Sequence, residues 1–269
     1  MKIREIVVKS ILSKSRIYGV TYAVNPYVGC GHGCAYCYAR FMKRYTGHEK
    51  DRWGEFVDIK INAPTVLAKE TKKARPGPIL ISSVTDAYQP LERRYEITRK
   101  ILEVLTRRKF PVIILTKSSL VTRDIDLLKK LKYCEVGFTI VTLDDSIREK
   151  FEPRASPIKD RLEALWELHQ ENVPTYGFIG PLLPFLSDET IENLILKLKE
   201  VGCSSVMVDR LNIKYGNWKS IKETLQENYP SLLKKYEEIL FSKSDYFEKL
   251  KNKIIDIAKK YNIKVDFCY

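Results

Sequence analysis

Short apolar runs rich in β-branched residues recur along the chain and predict buried strands. The strand candidates are TYAVNPYV (21–28), ILIS (79–82), VIIL (112–115), VGFTIVTL (136–143), VPTYGFIG (173–180) and SVMV (205–208). Apolar residues at helical spacing separate these runs. The helical faces comprise Thr98, Ile101, Leu102 and Leu105, then Ile158, Leu162, Leu165 and Trp166, then Ile191, Leu194, Ile195 and Leu198 in a helix that starts at Ser187. The alternation predicts parallel βαβ units.

The number of units favours an open barrel. Six strand candidates are fewer than the eight of a closed barrel, so we predict an α/β fold with a partial, TIM-type (β/α)6 barrel. A doubly wound open sheet is the alternative. In both architectures, functional residues are expected at the carboxyl ends of the strands.

The pattern changes after about Asn212. Residues 214–262 keep helical spacing throughout, and a short strand, IKVDF (263–267), follows. We therefore predict a core domain over residues 1–213 and a helical C-terminal extension, residues 214–269, packed on the barrel.

The composition of the chain limits where the protein is expected in the cell and which partners it is expected to bind. The chain has no apolar run of 18 residues, and charged residues such as Lys9 and Lys14 interrupt its first segment, so we expect a soluble, cytoplasmic protein that makes no membrane contact. The formal net charge is +13, from 47 Lys and Arg against 34 Asp and Glu. Such an excess attracts polyanions such as nucleic acid, although a solvated basic surface explains it equally well.

Three of the six cysteines lie close together, in the segment NPYVGCGHGCAYCYAR (25–40), as Cys30-x3-Cys34-x2-Cys37. Thiolates are ligands for iron–sulfur clusters and for zinc. Structural zinc takes four ligands, and His32 is a poor fourth because it lies between the cysteines. A four-iron cluster with three thiolates keeps one iron open, which the amino and carboxylate groups of methionine can chelate. Gly29, Gly31 and Gly33 would let the backbone wrap closely around the cluster.

The Cys-x3-Cys-x2-Cys spacing resembles the signature of the radical S-adenosylmethionine (SAM) superfamily. Several further segments resemble the spore photoproduct lyase-like (DNA repair photolyase-like) branch of that superfamily. They are Pro26-Tyr27, Cys37-Tyr38, Arg40, TDAYQPLE (85–92), LTKS (115–118), RDIDLL (123–128), and FEPRASP (151–157) with Arg161. The resemblance covers about residues 15–212. It implies a partial barrel and a [4Fe-4S] cluster on the three cysteines. It further implies reductive cleavage of SAM to a 5′-deoxyadenosyl radical that abstracts hydrogen, with a ferredoxin- or flavodoxin-type electron donor.

The resemblance also assigns a cofactor pocket. By the resemblance, Ser82, Ser83, Thr85 and Asp86 would contact the methionyl amine and Tyr36 the adenine. From its place after the strand VIIL, Lys117 would pair with the methionyl carboxylate, and Thr139 and Thr142 of the fourth strand would meet the ribose. The alternatives are an ordinary polar turn at 82–86, a surface lysine, and packing roles for the threonines and the tyrosine. Glu152 and Arg161 would form an ion pair that braces the pocket, or a surface pair without a role.

The sequence defines the substrate less closely than it defines the cofactors. In spore photoproduct lyase a cysteine ahead of the second-strand aspartate donates hydrogen, and here that stretch is Ser82-Ser83-Val84, so we do not expect thymine-dimer repair. Cys134, Cys203 and Cys268 are predicted to be small buried side chains. Charge and family favour a nucleic-acid substrate, contacted by KYGNWKSIK (214–222) and RFMKRYTGHEKDRW (40–53). The competing hypothesis is a nucleic-acid-binding protein with a structural metal or iron–sulfur site.

Overall fold

The computed structural model describes residues 1–214 and 216–269. Its strands are β1 (Lys2–Ile6), β2 (Leu12–Lys14), β3 (Tyr22–Val24), β4 (Tyr27–Val28), β5 (Phe56–Lys60), β6 (Ile79–Ile81), β7 (Val112–Thr116), β8 (Cys134–Thr139), β9 (Thr175–Leu182), β10 (Ser205–Arg210) and β11 (Lys264–Phe267). Its α-helices are α1 (Ala63–Glu70), α2 (Glu92–Tyr95), α3 (Ile97–Thr106), α4 (Ile125–Leu128), α5 (Asp145–Phe151), α6 (Ile158–Gln170), α7 (Ile191–Glu200), α8 (Asn217–Asn228), α9 (Leu233–Phe241) and α10 (Tyr246–Tyr261). Short 3-10 helices cover Tyr38–Tyr45, Ser119–Asp124 and Pro230–Leu232.

The main sheet has the order β11-β10-β9-β8-β7-β6-β3-β2. Every pair from β3 to β11 is parallel, and β2 joins one edge antiparallel to β3. The strand order follows the chain in one direction, whereas a doubly wound sheet reverses direction. Within the described residues β2 and β11 do not pair, so the barrel is open, and the predicted partial barrel is confirmed.

The first strand candidate was predicted wrongly as one strand. Residues 21–28 form β3 in the main sheet and β4 in a small sheet of order β1-β5-β4. Asn25 and Pro26 separate the two strands, and a proline restricts the residue before it and donates no ladder hydrogen bond. The turn leads the chain from the main sheet to the segment that carries the cysteines.

The predicted helical faces are buried, except that Leu162 is half-buried and Trp166 is exposed. Ile101, Leu165 and Leu194 are fully buried, but Trp166 is 54% exposed, because adjacent residues of an α-helix point about 100° apart. The helix predicted to start at Ser187 starts at Ile191 instead. The Ser187 hydroxyl is already used in the preceding turn, where it accepts a hydrogen bond from Leu183 N (2.9 Å).

The C-terminal region is helical in three pieces rather than continuously, and β11 extends the barrel sheet next to β10. Leu250, Ile254 and Ile257 of α10 belong to the main hydrophobic core. Ile221 of α8 and Tyr236 of α9 pack in a second cluster that includes Cys34, Ala35 and Tyr36. The division into domains at residue 213 stays a prediction. Among the helices of the described residues, none has the length and apolarity needed to cross a membrane.

Candidate active site at the cysteine loop

Residues 29–37, here called the cysteine loop, connect β4 to the 3-10 helix Tyr38–Tyr45. All three cysteines in it are free thiols; Cys30 and Cys34 are buried and Cys37 is half-buried. Burial raises the pKa of Cys34 well above its usual value, Lys117 opposes the rise, and Glu152, Cys37 and Cys30 add to it. The pKa of Cys37 is raised to about 11, first by burial and then by Cys30. The three thiols therefore lie near enough to interact, and a bound metal would reverse these shifts by stabilising the thiolates.

The residues fit a cluster in number and in donor chemistry, since three grouped thiols are the donors that iron–sulfur clusters take. Across residues 1–214 and 216–269, no three His, Cys, Asp or Glu side chains are spaced closely enough to surround one metal ion. The assignment of the three thiols as cluster ligands rests on their grouping and on their spacing in the chain.

Polar side chains after β6 hold the cysteine loop in place. The Thr85 hydroxyl donates to Gly29 O (2.6 Å), and Gly31 N donates to the Gln89 side-chain oxygen (2.8 Å). The Gln89 amide also donates to the Thr85 hydroxyl (3.2 Å). Thr85 is thus occupied with shaping the loop, and Gln89 has the same function although the sequence analysis did not single it out.

Two glycines, Gly33 of the cysteine loop and Gly54 of a neighbouring turn, allow the backbones of these two segments to approach closely. Gly33 and Gly54 both have positive φ, at 67° and 89°. A Cβ on Gly33 would lie 2.8 Å from Arg154 Nη2, and a Cβ on Gly54 would lie 2.7 Å from Gly33 Cα. Arg154 Nη2 donates to Gly54 O (2.7 Å), so its guanidinium clamps the turn at Gly54 against the cysteine loop.

Asp86 is buried and has several partners. Its carboxylate accepts hydrogen bonds from Thr116 Oγ1 (2.7 Å) and Lys117 N (2.9 Å), and His32 Nδ1 lies 3.4 Å from it. Burial would raise the pKa of Asp86, but His32, Lys117 and Thr116 hold it well below its usual value. Asp86 therefore links the cysteine loop to the end of β7, a role that its place in the sequence does not show.

Ser82, the residue after β6, has an unusual backbone. Its φ is 70°, in the left-handed region that side-chain-bearing residues avoid at a cost of about 1–2 kcal/mol. Its hydroxyl is buried and has no hydrogen-bond partner among the described residues. Strained residues with open polar groups occur at ligand sites. Ser83, beside it, accepts hydrogen bonds at its carbonyl from the Tyr38 hydroxyl and at its own hydroxyl from Asn25 Nδ2 (3.2 Å).

Lys117, the residue after β7, points its ammonium over the ring of Tyr36, 5.7 Å from the ring centre. Burial would lower the pKa of Lys117, but Cys34, Glu152 and Asp86 raise it above its usual value. In the described part of the chain, the ammonium makes no ion pair within 4.0 Å and no hydrogen bond. The alternative of an ordinary surface lysine does not hold, because the side chain is half-buried among charged groups.

Tyr36, Glu152 and Arg161 form a buried chain of polar contacts. The Tyr36 hydroxyl donates to one Glu152 oxygen, and Arg161 lies 2.5 Å from the other. Arg161 also donates to Thr139 O (2.8 Å) and Ser156 O (2.8 Å). Both partners of the ion pair are fully buried, so the surface-pair alternative is wrong.

Thr139 and Thr142 are buried at and just after the end of β8. The Thr142 hydroxyl accepts a hydrogen bond from Asp144 N (3.1 Å). Asn217 of α8, which the sequence analysis passed over, donates to Tyr36 O (3.0 Å) from 181 residues away. No local pattern signals such a contact, because its two partners are distant in the chain.

The two basic–aromatic segments face one another across a cavity of about 1150 Å³, here called the basic cavity. Its cationic lining comprises Arg40, Lys43, Arg44, Arg52, Arg154 and Lys219, and Gly33 of the cysteine loop is also in its wall. Among the aromatic members, Trp53 is buried and Trp218 packs on Phe241 with 5.2 Å between ring centres, whereas Tyr45 is 76% exposed. Tyr215 of the second segment lies outside the described residues.

The three remaining cysteines differ in their exposure to solvent. Cys134 and Cys203 are buried, as predicted, but Cys268 is exposed and the prediction is wrong there. Cys268 follows β11, the edge strand of the sheet, so only one side of the backbone has a neighbouring strand. Its amide donates to Val208 O (2.9 Å).

Comparison with known proteins places this geometry in a wider group. A family model described as the Radical SAM superfamily matches residues 24–209. An uncharacterised protein of Methanocaldococcus jannaschii is 34% identical over 265 residues, which are 98% of this chain and 96% of that protein. A Pseudomonas phage M6 protein described as a radical SAM Nalpha-GlyT isomerase is 26% identical over 208 residues, covering 76% of this chain and 42% of that protein.

Among solved structures, the fold is similar to that of a spore photoproduct lyase mutant with bound AdoMet (SAM) and dinucleoside spore photoproduct. The TM-score is 0.72 at 14% identity, and the match covers 99% of this chain and 82% of that chain. Because the covered part of this chain runs through the C-terminal helices and β11, the likeness in fold extends beyond the barrel.

Proposed function

Since this chain belongs to the radical SAM superfamily, whose members use a [4Fe-4S] cluster and SAM, we propose that it abstracts hydrogen from a nucleoside unit of a nucleic acid. The chain is thereby an enzyme, which sets aside the alternative of a binding protein with a structural cluster. When bound, cluster and cofactor together supply a 5′-deoxyadenosyl radical. Cys30, Cys34 and Cys37 would hold the cluster.

The observation that carries the proposal is a pair of open polar groups at neighbouring strand ends. The Ser82 hydroxyl and the Lys117 ammonium have no hydrogen-bond partner in the described part of the chain. An unsatisfied buried polar group such as the Ser82 hydroxyl costs about 1–3 kcal/mol, so such a group is typical of a site that a ligand completes. A hydroxyl oxygen can accept from the methionyl amine, and an ammonium can pair with the methionyl carboxylate.

The surrounding residues position these groups and exclude water. Thr85 and Asp86, assigned to the amine from the sequence, have protein partners, and we propose that they orient the cysteine loop and Lys117. The Tyr36–Glu152–Arg161 chain would form a rigid wall on the adenine side. Thr139 and Thr142 stay proposed ribose contacts, and Ser83 a proposed amine contact.

Two observations support a nucleoside substrate. The similar spore photoproduct lyase structure holds a dinucleoside photoproduct. The net charge of +13 favours polyanions. Thymine-dimer repair is not proposed, because Ser82-Ser83-Val84 supplies no thiol at the place where that reaction draws its hydrogen.

The test is hydrogen transfer in the anaerobically reconstituted enzyme. With reductant and SAM, we expect 5′-deoxyadenosine to form, and to carry deuterium when the added DNA or RNA is uniformly deuterated. The Cys30→Ala/Cys34→Ala/Cys37→Ala variant should bind no cluster and release no deoxyadenosine. Iron retained by that variant would contradict the ligand assignment. Deoxyadenosine without deuterium from either nucleic acid would contradict the substrate class.

A further inference from the structure

The basic cavity lies against the cysteine loop but apart from the proposed cofactor pocket. Gly33 is in its wall, whereas none of Tyr36, Ser82, Ser83, Thr85, Asp86, Lys117, Thr139 and Thr142 is in its described lining. The opposite side of the loop, at Gly31, faces Gln89 and Pro90. The described lining of the basic cavity therefore meets the cysteine loop at Gly33 and shares no residue with the proposed cofactor pocket.

The charge of the cavity is strongly asymmetric. Six cationic side chains line its described part against three acidic ones, Glu49, Glu55 and Glu223. Two of the cations have backbone partners: Arg40 donates to Cys34 O of the cysteine loop (3.1 Å), and Arg154 donates to Gly54 O beside it (2.7 Å). Arg44, Arg52 and Lys219 are exposed, and no ion pair of the described residues involves them. Arg44 and Arg52 come from residues 40–53 and Lys219 comes from residues 214–222, so their convergence is a product of the fold.

These features suit an electron carrier better than a substrate. A substrate must reach the cofactor at the strand ends, but an electron need only reach the cluster, and the described lining of the basic cavity includes Gly33 of the cysteine loop and no residue of the proposed cofactor pocket. A nucleic-acid groove also uses exposed aromatic rings for stacking, and in the described lining of the basic cavity the one aromatic residue, Trp53, is buried. Complementary charge speeds and orients the association of two proteins without requiring a deep apolar interface.

We propose that the basic cavity docks a small acidic electron-carrier protein of the ferredoxin or flavodoxin class, placing its redox centre next to Gly33. The inference rests on the proposed function. In the transfer, the carrier is oxidised by one electron and the cluster bound at the cysteines is reduced by one electron, and no atom moves between the proteins.

The test measures binding of oxidised ferredoxin and of oxidised flavodoxin, each titrated into the full-length reconstituted enzyme at low and high salt. The cavity variant is Arg44→Glu/Arg52→Glu/Lys219→Glu. The matched control is Lys72→Glu/Lys73→Glu/Arg75→Glu, which changes the net charge equally at exposed positions ahead of β6, at the amino ends of the strands. We expect the cavity variant to bind the carriers about tenfold or more weakly than the control, with a smaller salt dependence.

Equal affinity of the cavity and control variants for both carriers would overturn the proposal. A loss of single-stranded DNA binding confined to the cavity variant, with carrier binding intact, would overturn it in favour of a nucleic-acid groove. Dithionite reduces the cluster without a docking surface, so its use separates a failure of the proposed function from a failure of the proposed docking surface. If dithionite drives no SAM cleavage in the wild type, the proposed function fails, whereas the binding comparison addresses the docking surface alone.

Discussion

Lys117 is the residue on which the proposed cofactor site most depends, because its ammonium lies among anionic groups with only the Tyr36 ring as a described contact. Lys117→Ala should weaken SAM binding by about 1.5–3 kcal/mol, or roughly one to two decades, through loss of a charge-assisted contact. Equilibrium SAM binding to the reconstituted protein measures this, with Lys72→Ala as the exposed control. Unchanged affinity in a folded Lys117→Ala protein would remove this residue from the site.

Ser82 permits the effects of backbone and hydroxyl to be separated. Glycine adopts φ of 70° without strain, so Ser82→Gly should raise the free energy of unfolding by about 1 kcal/mol, while Ser82→Ala should not. Both variants lack the hydroxyl and should bind SAM more weakly. Denaturant unfolding and SAM titration measure the two effects. If either variant keeps wild-type SAM affinity, the Ser82 hydroxyl makes no cofactor contact.

The buried Glu152–Arg161 pair should affect stability in a pH-dependent manner. Burial would raise the pKa of Glu152, but Arg161 and Lys117 lower it, so the ionised carboxylate stabilises the fold above its ordinary pKa of about 4.3. That stabilisation is lost as the pH falls through the folded-state pKa. Glu152→Gln should therefore cost about 3–5 kcal/mol at neutral pH, by leaving Arg161 unpaired, and progressively less below about pH 4.3.

Urea unfolding at neutral and acidic pH measures this difference. Glu163→Gln, at an exposed position of α6 whose carboxylate lies 3.6 Å from Lys159, is the control and should change stability little. A cost of Glu152→Gln that stays constant down to acidic pH would show that packing, not charge, sets it.

At the scale of elements, α10 functions as part of the barrel core. Ile254 is fully buried in the main hydrophobic cluster. Ile254→Ala should lower the free energy of unfolding by about 2–5 kcal/mol, as for other large-to-small core changes, and Asp256→Ala on the exposed side of the same helix should change it little. Chemical denaturation of both variants measures this. A small effect at Ile254 would indicate that α10 is only loosely attached.

The sequence predicted the helices and strands well where a single spacing of apolar residues, that of a helix or that of a strand, dominated a segment. The strands β6 to β10 each hold alternating or continuous apolar residues, and the helices between them each keep an apolar face. The prediction failed at Asn25-Pro26, where one apolar run is divided between two sheets. It failed also at Ser187, whose capping-type side chain serves a turn. In both places a local turn overrides the apolar pattern.

The site was predictable as a set of residue types but not as a set of contacts. The cysteine spacing and the strand-end positions identified the loop, Ser82 and Lys117. The partners of Thr85 and Asp86 could not be read from the chain, because hydrogen bonds to Gly29 O and Lys117 N depend on where the loop and β7 meet in space. Asn217 was missed for the same reason.

At the scale of the whole molecule, the +13 charge should give salt-dependent nucleic-acid binding. Cutting the chain near Asn212 does not test it, because the cut removes α10 from the core and β11 from the sheet. The cavity and control variants are better suited, since they change net charge equally. We expect both to lose DNA affinity to the same extent, with log affinity falling linearly against log salt. Fluorescence anisotropy with labelled oligonucleotides measures this. A selective loss in the cavity variant would contradict the expectation.

The close approach of Gly33 to Gly54 also restricts how this sequence can drift over generations. A side chain at Gly54 would meet the backbone of Gly33, which cannot yield, whereas a side chain at Gly33 would meet only the tip of Arg154. The two positions therefore differ in how well they tolerate substitution. A lineage in which Arg154 has been replaced could later accept asparagine at position 33, the residue most tolerant of that backbone angle. Position 54 would stay closed to change in every such lineage, whatever happens to the arginine.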